Sequence, residues 1–412
     1  MSKGTKRLVK ALLFAGASLN AHGGEALRKA ATRGDADIVQ MLLDARARVG
    51  VERSYELSPL GLAIKEGRLE TVKVLLAARA VPKVQDADRT TALMLAAKSG
   101  DVDIIQLILS QTPSLQTPNE AELDFRDRLG DTALIKAVCK DCPGAVKMLL
   151  DAGASWDPLH AREINTFQLL CRGNFSQHYI DVVGERNRST FYVQNETDYA
   201  ARDCVDVIKL LIAAKAEVNS RPGISQAPLF LAARRPHVLA TLLRAGALID
   251  ARGVNGQTAL IAAVRSNSRK SVEVLLESKA DVNIMDSNNG TALKYALIHA
   301  LKSENIFILW LLVAAGAQAE LGYSADVSPL DRALSSNRPD IVRVLLDAKA
   351  DVKKLLEHGM LPLETAIRKN MVGCVRHLVA AGLDLSQCKD PSLTIDLLNI
   401  TVKKNDSCML GP

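Results

Sequence analysis

Residues 86–110, with the sequence DADRTTALMLAAKSGDVDIIQLILS, predict two short helices joined by a tight turn. Thr91 is placed to cap the first helix, because its side-chain oxygen can accept a hydrogen bond from a backbone N–H of the first turn. Gly100 supplies the left-handed residue that ends this helix, and Asp101 opens the second. The second helix has an apolar face made of Ile104, Ile105, Leu107 and Ile108. Neither helix exceeds about ten residues, a length that is marginal in isolation, so each must pack against another part of the chain.

The same arrangement recurs along most of the chain. Related segments are SPLGLAIKEGRLETVKVLL from Ser58, DTALIKAVCKDCPGAVKMLLDAGA from Asp131 and QTALIAAVRSNSRKSVEVLLESKADVN from Gln257. An alanine marks the first helix of each copy, and the commonest step between neighbouring copies is 33 residues; these alanines are Ala30, Ala63, Ala96, Ala137, Ala232, Ala263, Ala296, Ala333 and Ala366. Self-similarity at a fixed period of about 20 to 50 residues indicates stacked repeats.

This pattern resembles the ankyrin repeat, whose signature is TPLHxA with a period of about 33 residues. The resemblance covers about residues 8–386 and implies an all-α ankyrin-repeat solenoid of about ten repeats plus an N-terminal half repeat. It also implies short extended or β-hairpin connectors, and partners that dock on the connector tips and on the concave side formed by the first helices.

The two ends of the chain complete this organisation. Residues 8–20, LVKALLFAGASLN, could be read as part of a secretory signal, but they align with the second helix of a repeat and are better interpreted as an N-terminal cap. We therefore expect a single solenoid over residues 1–386. Residues 387–412 are expected to form a C-terminal capping segment, with an amphipathic helix near 391–401, and a tail.

The composition indicates which class of protein this is and in which cellular compartment we expect it. The 412 residues are 48% apolar and 24% charged, which is typical of a folded chain. Seven scattered cysteines do not form the even framework of a small secreted fold, so a reducing cytosol is expected. The longest strongly apolar run, Ile306–Ala315, is about half of the roughly 20 residues that a membrane-spanning helix needs. We expect a soluble, cytoplasmic monomer without a transmembrane segment.

Basic residues cluster where the first helices end. The two positions that follow the alanine step in each unit contain ten basic residues and one acidic residue. The basic ones are Arg33, Lys65, Lys98, Lys140, Arg172, Arg234, Arg235, Arg265, Arg368 and Lys369. Such residues complement the helix dipole by about 0.3 to 1 kcal/mol and need no further role. Alternatively, they form a stripe that attracts an acidic peptide or protein surface. We do not expect nucleic acid, because the net charge is only +6 and no aromatics alternate with the cations.

A second basic series occupies the position where a repeat's second helix ends. Arg46, Arg79, Lys215, Lys279 and Lys349 stand where other units have Gly153, Gly246, Gly316 and Gly382. Glycine is the usual residue there because the backbone is left-handed, and another residue costs about 1 kcal/mol. The sequence therefore predicts that these five helix ends are locally less stable.

The period fails once, between Ala137 and Ala232. Those 95 residues hold about 29 more than two steps of the repeat would. Either residues 165–172 form the first helix of the fifth unit and residues 174–203 are an insertion, or that helix lies near residues 195–202 and the insertion precedes it. The inserted stretch carries Phe175, Tyr179, Phe191, Tyr192 and Tyr199. Such aromatics can fold back as a small satellite core or can anchor a partner.

Sequence motifs for catalysis are missing. The chain has no phosphate loop, no dinucleotide fingerprint, no HExxH and no GxSxG. Its one CxxC pair, Cys139 and Cys142, lies at a turn between two helices and lacks two further zinc ligands. We therefore expect no catalytic residues, no metal and no cofactor.

The sequence predicts a non-catalytic interaction module or scaffold that binds another protein. The alternative is the targeting module of an effector or enzyme assembly, with catalysis on the insertion or on a separate chain. Attachment to a membrane surface through the cations is a third class.

Overall fold

The structure is a computed structural model, and every regular element in its described part is a helix. The described residues are 3–16, 24–49, 57–80, 88–110, 123–128, 130–155, 167, 170–171, 204–219, 227–303, 305–322, 328–350 and 362–383. None of the helices found there is both long enough and apolar enough to cross a membrane. The chain divides into two compact units, Met1–Ser225 and Gln226–Pro412. The predicted all-α class is confirmed, whereas the single solenoid over residues 1–386 remains a prediction.

The first unit contains ten described helices. They are α1 (Lys3–Phe14), α2 (Glu25–Arg33), α3 (Ala36–Asp44), α4 (Pro59–Lys65), α5 (Leu69–Ala77), α6 (Ala92–Ser99), α7 (Val102–Ser110), α8 (Ala133–Lys140), α9 (Pro143–Asp151) and α10 (Val205–Ala213).

The second unit also contains ten described helices. They are α11 (Pro228–Leu231), α12 (Pro236–Arg244), α13 (Ala259–Arg265), α14 (Arg269–Glu277), α15 (Ala292–Lys302), α16 (Phe307–Ala314), α17 (Pro329–Ser335), α18 (Pro339–Asp347), α19 (Pro362–Arg368) and α20 (Val372–Ala380). A short 3₁₀ turn, Val254–Gly256, lies between α12 and α13.

The third repeat has the predicted local geometry. The Thr91 hydroxyl accepts a hydrogen bond from the Met94 amide at 3.2 Å, which caps α6. Gly100 ends this helix with φ 77°, in the left-handed region. The Asp101 carboxylate then accepts a hydrogen bond from the Ile104 amide at 3.1 Å and so caps α7. The predicted start and end of α6 and the predicted start of α7 are thus confirmed.

Each described first helix packs on the second helix of its own repeat, and like helices of neighbouring repeats also pack together. In the first unit, α2, α4, α6 and α8 form one row, and α3, α5, α7, α9 and α10 form the other. In the second unit the rows are α11, α13, α15, α17 and α19, and α12, α14, α16, α18 and α20. Fully buried alanines such as Ala63, Ala96 and Ala137 let the first helices approach closely. Each buried leucine contributes about 1.5 to 3 kcal/mol.

Three described residues bear on the register of the fifth repeat. Phe167, Leu170 and Cys171 are helical and fully buried. They lie 33 residues after Leu134, Ala137 and Val138, which form the buried face of α8. This agreement is what the first of the two registers predicts, and the choice between the registers stays a prediction. The predicted insertion over residues 174–203 lies outside the described residues.

The described connectors are turn loops rather than β-hairpin strands. In three of them, the amide of one residue donates to the carbonyl of the fourth residue after it: Asp127 to Asp131 at 3.1 Å, Gly253 to Gln257 at 2.7 Å and Asp286 to Gly290 at 3.0 Å. Neighbouring loops are also joined, because the Ser287 amide donates to the Asn255 carbonyl at 2.8 Å. Backbone hydrogen bonds therefore continue the stacking outside the helices.

One loop holds a nearly buried ionic cluster. Lys136 Nζ lies 2.6 Å from an Asp127 carboxylate oxygen and 2.8 Å from an Asp131 carboxylate oxygen, and the lysine side chain is only 12% exposed. Burial alone would lower the pKa of Lys136, but the two carboxylates outweigh it and raise that pKa. The lysine therefore stays charged and joins α8 to the loop that precedes it.

A second loop uses neutral donors instead. The Asp286 carboxylate, in a residue that is 4% exposed, accepts hydrogen bonds from the Tyr295 hydroxyl at 2.8 Å, the Gln257 amide at 3.2 Å and the Gly290 backbone at 2.8 Å. Burial opposes ionisation, but these hydrogen bonds and one from the Asn288 backbone outweigh it and lower the pKa of Asp286. Because Gln257 belongs to the preceding repeat, the carboxylate ties two repeats together.

The predicted left-handed helix ends are confirmed. The φ angles are 64° at Arg46, 62° at Arg79, 66° at Lys215, 70° at Lys279 and 56° at Lys349. All five side chains are exposed, so packing does not compensate for the backbone conformation. The equivalent glycines also have positive φ; they are Gly153, Gly246, Gly316 and Gly382.

Replacing Lys279 with glycine should stabilise the chain by up to about 1 kcal/mol, because glycine adopts positive φ without a steric cost. Gly316→Lys is the matched control: a Cβ there would meet no atom within 4 Å, so it tests the backbone conformation alone and should destabilise by a similar amount. Urea unfolding followed by circular dichroism measures both. A lower stability for Lys279→Gly would mean that the cation's interaction with the helix end outweighs the strain.

Asp286→Asn should lower the free energy of unfolding at pH 7 by about 1 to 3 kcal/mol, because a charge-assisted hydrogen-bond network is lost. The folded pKa of Asp286 lies below the ordinary value of 3.8, so its stabilisation is present above pH 3.8 and is lost as the pH falls through the folded value. The gap between wild type and variant should therefore shrink below pH 3.8. Urea unfolding at pH 7, 5 and 3 measures this gap, with Asp347→Asn as the exposed control; a constant gap would contradict the assignment.

Candidate functional site

Four predicted cations lie along one edge of the first unit. Arg33, Lys65, Lys98 and Lys140 are exposed and occupy the last turn of α2, α4, α6 and α8 respectively. These helices pack side by side, so the four residues follow one another along helices whose axes are about 8 to 10 Å apart, the usual distance between packed helices. We call these four residues the cationic edge.

Contacts between neighbouring helix ends hold this edge together. A Cβ added at Gly34 would lie 2.6 Å from Cδ of Arg68, so the Arg68 side chain covers the end of the preceding repeat's first helix. Its Nε also lies 3.4 Å from the Thr32 carbonyl. Further along, the Cys142 thiol donates to the Gly100 carbonyl at 3.4 Å. The helix ends that carry the cations are therefore directly adjacent.

Acidic residues also lie near the edge. Glu66 is exposed and follows Lys65. The Asp101 carboxylate lies close to Gly67, but one of its oxygens is used to cap α7. Lysine and arginine side chains are longer than that of aspartate, so their charged ends can extend further from the helix end than the Asp101 carboxylate.

In the second unit the basic residues are distributed differently. Arg234, Arg265, Arg368 and Lys369 are exposed. The Arg265 guanidinium lies 5.0 Å from the centre of the Tyr295 ring, and Arg368 pairs with Glu364 at 2.9 Å. Between these cations the same positions hold Ile298, His299, Ser335 and Ser336, so the row is interrupted.

Arg235 is the predicted site residue that the structure removes from the surface. The residue is only 8% exposed, because it lies at the turn into α12, where its backbone carbonyl accepts the Leu239 amide. The sequence prediction uses only the two positions that follow the repeat's alanine, and this criterion does not separate Arg235 from its exposed neighbour Arg234. The proposed surface therefore contains Arg234 but not Arg235.

Sequence reasoning missed Arg338, which stands at the turn before α18. Its guanidinium donates to the Ala300 carbonyl at 2.7 Å and the Ser303 carbonyl at 2.9 Å, and it forms two hydrogen bonds to Asp340 at 3.0 and 2.7 Å. These hydrogen bonds lower the pKa of Asp340. Arg338 lines an open groove of about 490 Å³ with Leu301, Lys302, Ser303 and Asp340. Because its donors already serve the end of α15, this groove is a repeat junction rather than a ligand site.

The other predicted contact residues lie outside the described part of the chain. They are Arg172 and the insertion aromatics Phe175, Tyr179, Phe191, Tyr192 and Tyr199.

The surroundings of Cys139, the first cysteine of the CxxC pair, affect its reactivity. Burial raises the pKa of the Cys139 thiol, and the nearby Asp131 carboxylate and Cys204 raise it further. Because the thiolate is the reactive form, this environment disfavours nucleophilic or redox chemistry at Cys139. Across the described ranges, no group of three or more His, Cys, Asp or Glu side chains could hold a metal ion.

Comparisons with known proteins agree with the repeat architecture. A family profile described as "Ankyrin repeats (3 copies)" matches residues 1–86, 60–159 and 198–286, which together are more than half of the chain. The B-cell lymphoma 3 protein homolog of Mus musculus is 28% identical over 188 residues, 44% of this chain and 41% of that protein. The human B-cell lymphoma 3 protein is 30% identical over 192 residues, 45% of this chain and 41% of that protein.

A putative ankyrin repeat protein of fowlpox virus is 30% identical over 154 residues, 35% of this chain and 44% of that protein. The similarity thus spans less than half the length of each of these relatives. Ankyrin repeats are generally protein–protein interaction modules. The matched profile, the repeated two-helix units and the stacking of like helices show that this chain belongs to the ankyrin-repeat family.

Proposed function

We propose that this chain is a non-catalytic interaction module or scaffold whose cationic edge binds an acidic segment of a partner protein. The observation that carries the proposal is the row of exposed Arg33, Lys65, Lys98 and Lys140 at the ends of four adjacent helices. Helix-dipole complementarity is sufficient to explain each cation separately, and the repeat sets the four of them in register. The proposal adds that the resulting row also binds acidic groups.

The spacing of the edge suits an extended acidic peptide. Neighbouring packed helices are about 8 to 10 Å apart, and an extended chain advances about 3.3 Å per residue. An acidic residue at about every third position would therefore meet one cation after another. A single exposed ion pair contributes only about 0 to 1 kcal/mol, so affinity must come from several pairs and from faster encounter.

Three further parts of the proposal are carried by the sequence. The insertion aromatics would add large apolar contacts to the charged ones, and Arg172 and the second unit's Arg234, Arg265, Arg368 and Lys369 would extend the basic surface. The connector tips would form the third part of the partner-binding surface. We also propose that the chain acts as a cytoplasmic monomer.

Reversing three charges of the edge, with Arg33→Glu, Lys65→Glu and Lys98→Glu together, should weaken binding of a fluorescein-labelled 20-residue polyglutamate peptide at least about tenfold. Three lost attractions replaced by repulsions amount to at least about 1.4 kcal/mol. Fluorescence anisotropy at 50 and 300 mM salt measures the effect. Wild-type binding should fall with salt, because exposed charges are screened.

The matched control carries Arg46→Glu, Arg79→Glu and Lys147→Glu, which change the net charge equally at exposed positions in or just after the second helices. This control should bind the peptide more tightly than the edge variant. Equal weakening in both variants would show that only net charge matters and would overturn the role of the edge.

Replacing Phe175, Tyr179, Phe191, Tyr192 and Tyr199 with serine should remove a subset of partners from affinity capture followed by mass spectrometry. Loss of large apolar anchors typically weakens a protein interface by more than 1 kcal/mol per anchor, about fivefold or more. Captures with the intact chain at low and high salt separate apolar from electrostatic partners. An unchanged partner set at both salt concentrations would exclude the insertion from binding.

A further inference from the structure

The N-terminal helix α1 exposes an apolar face. Leu8 is 60% exposed, Leu12 is 52% exposed and Phe14 is 97% exposed. Val9 and Leu13 are half-buried, α1 contacts α3, and Lys6 pairs with Asp37 of that helix. The helix therefore joins the row of second helices on one side and presents leucines on another.

These leucines occupy a position that is buried in the complete repeats. Leu12 lies four residues before Gly16, which ends the α1 segment with φ 78°. The residue four before the equivalent left-handed position is at most 4% exposed in nine second helices, and it is Leu42, Leu75, Leu149, Leu211, Leu242, Leu275, Leu312, Leu345 or Leu378.

The position of Leu8 is also buried in the complete repeats. Its equivalents, eight residues before the left-handed position, are at most 7% exposed: Ile38, Thr71, Ala145, Val207, Val238, Ser271, Ile308, Ile341 and Cys374. In the nine described repeats with both helices, the second helix packs on the first helix of the same repeat. In the described part of the chain, α1 is a second helix without such a first helix.

The flanks of this face are basic. Arg7 and Lys10 are exposed on α1, whose sequence KGTKRLVKALLF contains four basic residues and no acidic one. A helix that covered Leu8 and Leu12 would pass beside these cations, and acidic residues on its edges would be attracted to them.

We propose that α1 is a docking site for an acidic amphipathic helix of a partner protein, which packs against Leu8 and Leu12 as a first helix packs against the equivalent residues of the nine described repeats. The proposal deepens the proposed interaction function and rests on it, but it uses a different surface from the cationic edge. Leu8 and Leu12 are one turn apart and therefore lie side by side on one face of α1, where the apolar face of a second helix can pack on both.

The test uses the full chain and an 18-residue peptide with leucines on one helical face and glutamates on the other. In fluorescence anisotropy, Leu8→Ser with Leu12→Ser should weaken binding at least tenfold, and Arg7→Glu with Lys10→Glu at least fivefold. Leu248→Ser with Val379→Ser is the matched control, since these residues are 61% and 45% exposed in the second unit, and it should bind as wild type does. Thermal unfolding checks that every variant folds.

Four results would overturn the proposal. The first is equal binding by wild type and the leucine variant, and the second is equal binding of a peptide with lysines in place of the glutamates. The third is leucine-dependent flotation with vesicles of 30% anionic lipid in the absence of peptide binding, which would assign the face to a membrane surface. The fourth is leucine-dependent self-association in sedimentation, again without peptide binding, which would assign the face to a second copy of the chain.

The outcome is distinguishable from failure of the cationic edge. Leu8→Ser with Leu12→Ser should leave polyglutamate binding within twofold of wild type. The triple edge variant should retain at least half of the wild-type affinity for the amphipathic helix. If the wild-type chain binds the amphipathic peptide but not polyglutamate, the proposal for the cationic edge fails and the proposal for α1 stands.

Discussion

Stability in this chain depends on contacts between neighbouring repeats, because helices of 4 to 12 residues are marginal by themselves. Leucine recurs at the same position of the second helices, and small alanines recur in the first helices, so that each copy fits the next. Every repeat therefore provides its neighbours with the apolar surface that they lack. Leu12 of α1, which no described first helix covers, is exposed, whereas its equivalents in the nine repeats with both helices are buried.

Polar loops add a second kind of coupling. Asp127 and Asp131 hold Lys136 by charge, whereas Asp286 binds Gln257 and Tyr295 through neutral donors. Both arrangements satisfy buried carboxylates, and both tie a loop to the helix that follows it. Diverged repeats can thus use different side chains for the same structural task, provided that no buried charge is left without a partner.

Local rules predicted much of the fold. The Thr91 cap, the Gly100 helix end and the five basic left-handed residues such as Lys279 depend on backbone geometry within one turn, which the repeat pattern specifies directly. Burial depends on neighbours. The exposure of Leu8, the covering of Arg235 and the hydrogen bonds of Arg338 follow from which helix lies alongside, and a period in the sequence does not give that information. The cationic edge was predicted as a set of positions, and its adjacency comes from the packing of α2, α4, α6 and α8.

The left-handed helix ends have a consequence for motion. From Lys215 onwards, lysine and glycine alternate at this position, through Gly246, Lys279, Gly316 and Lys349 to Gly382. Because opening free energies vary along a chain, the alternation would give a graded pattern of amide hydrogen exchange, faster at every second repeat. Local opening of the backbone would then be more frequent at the helix ends with lysine and less frequent at the helix ends with glycine between them.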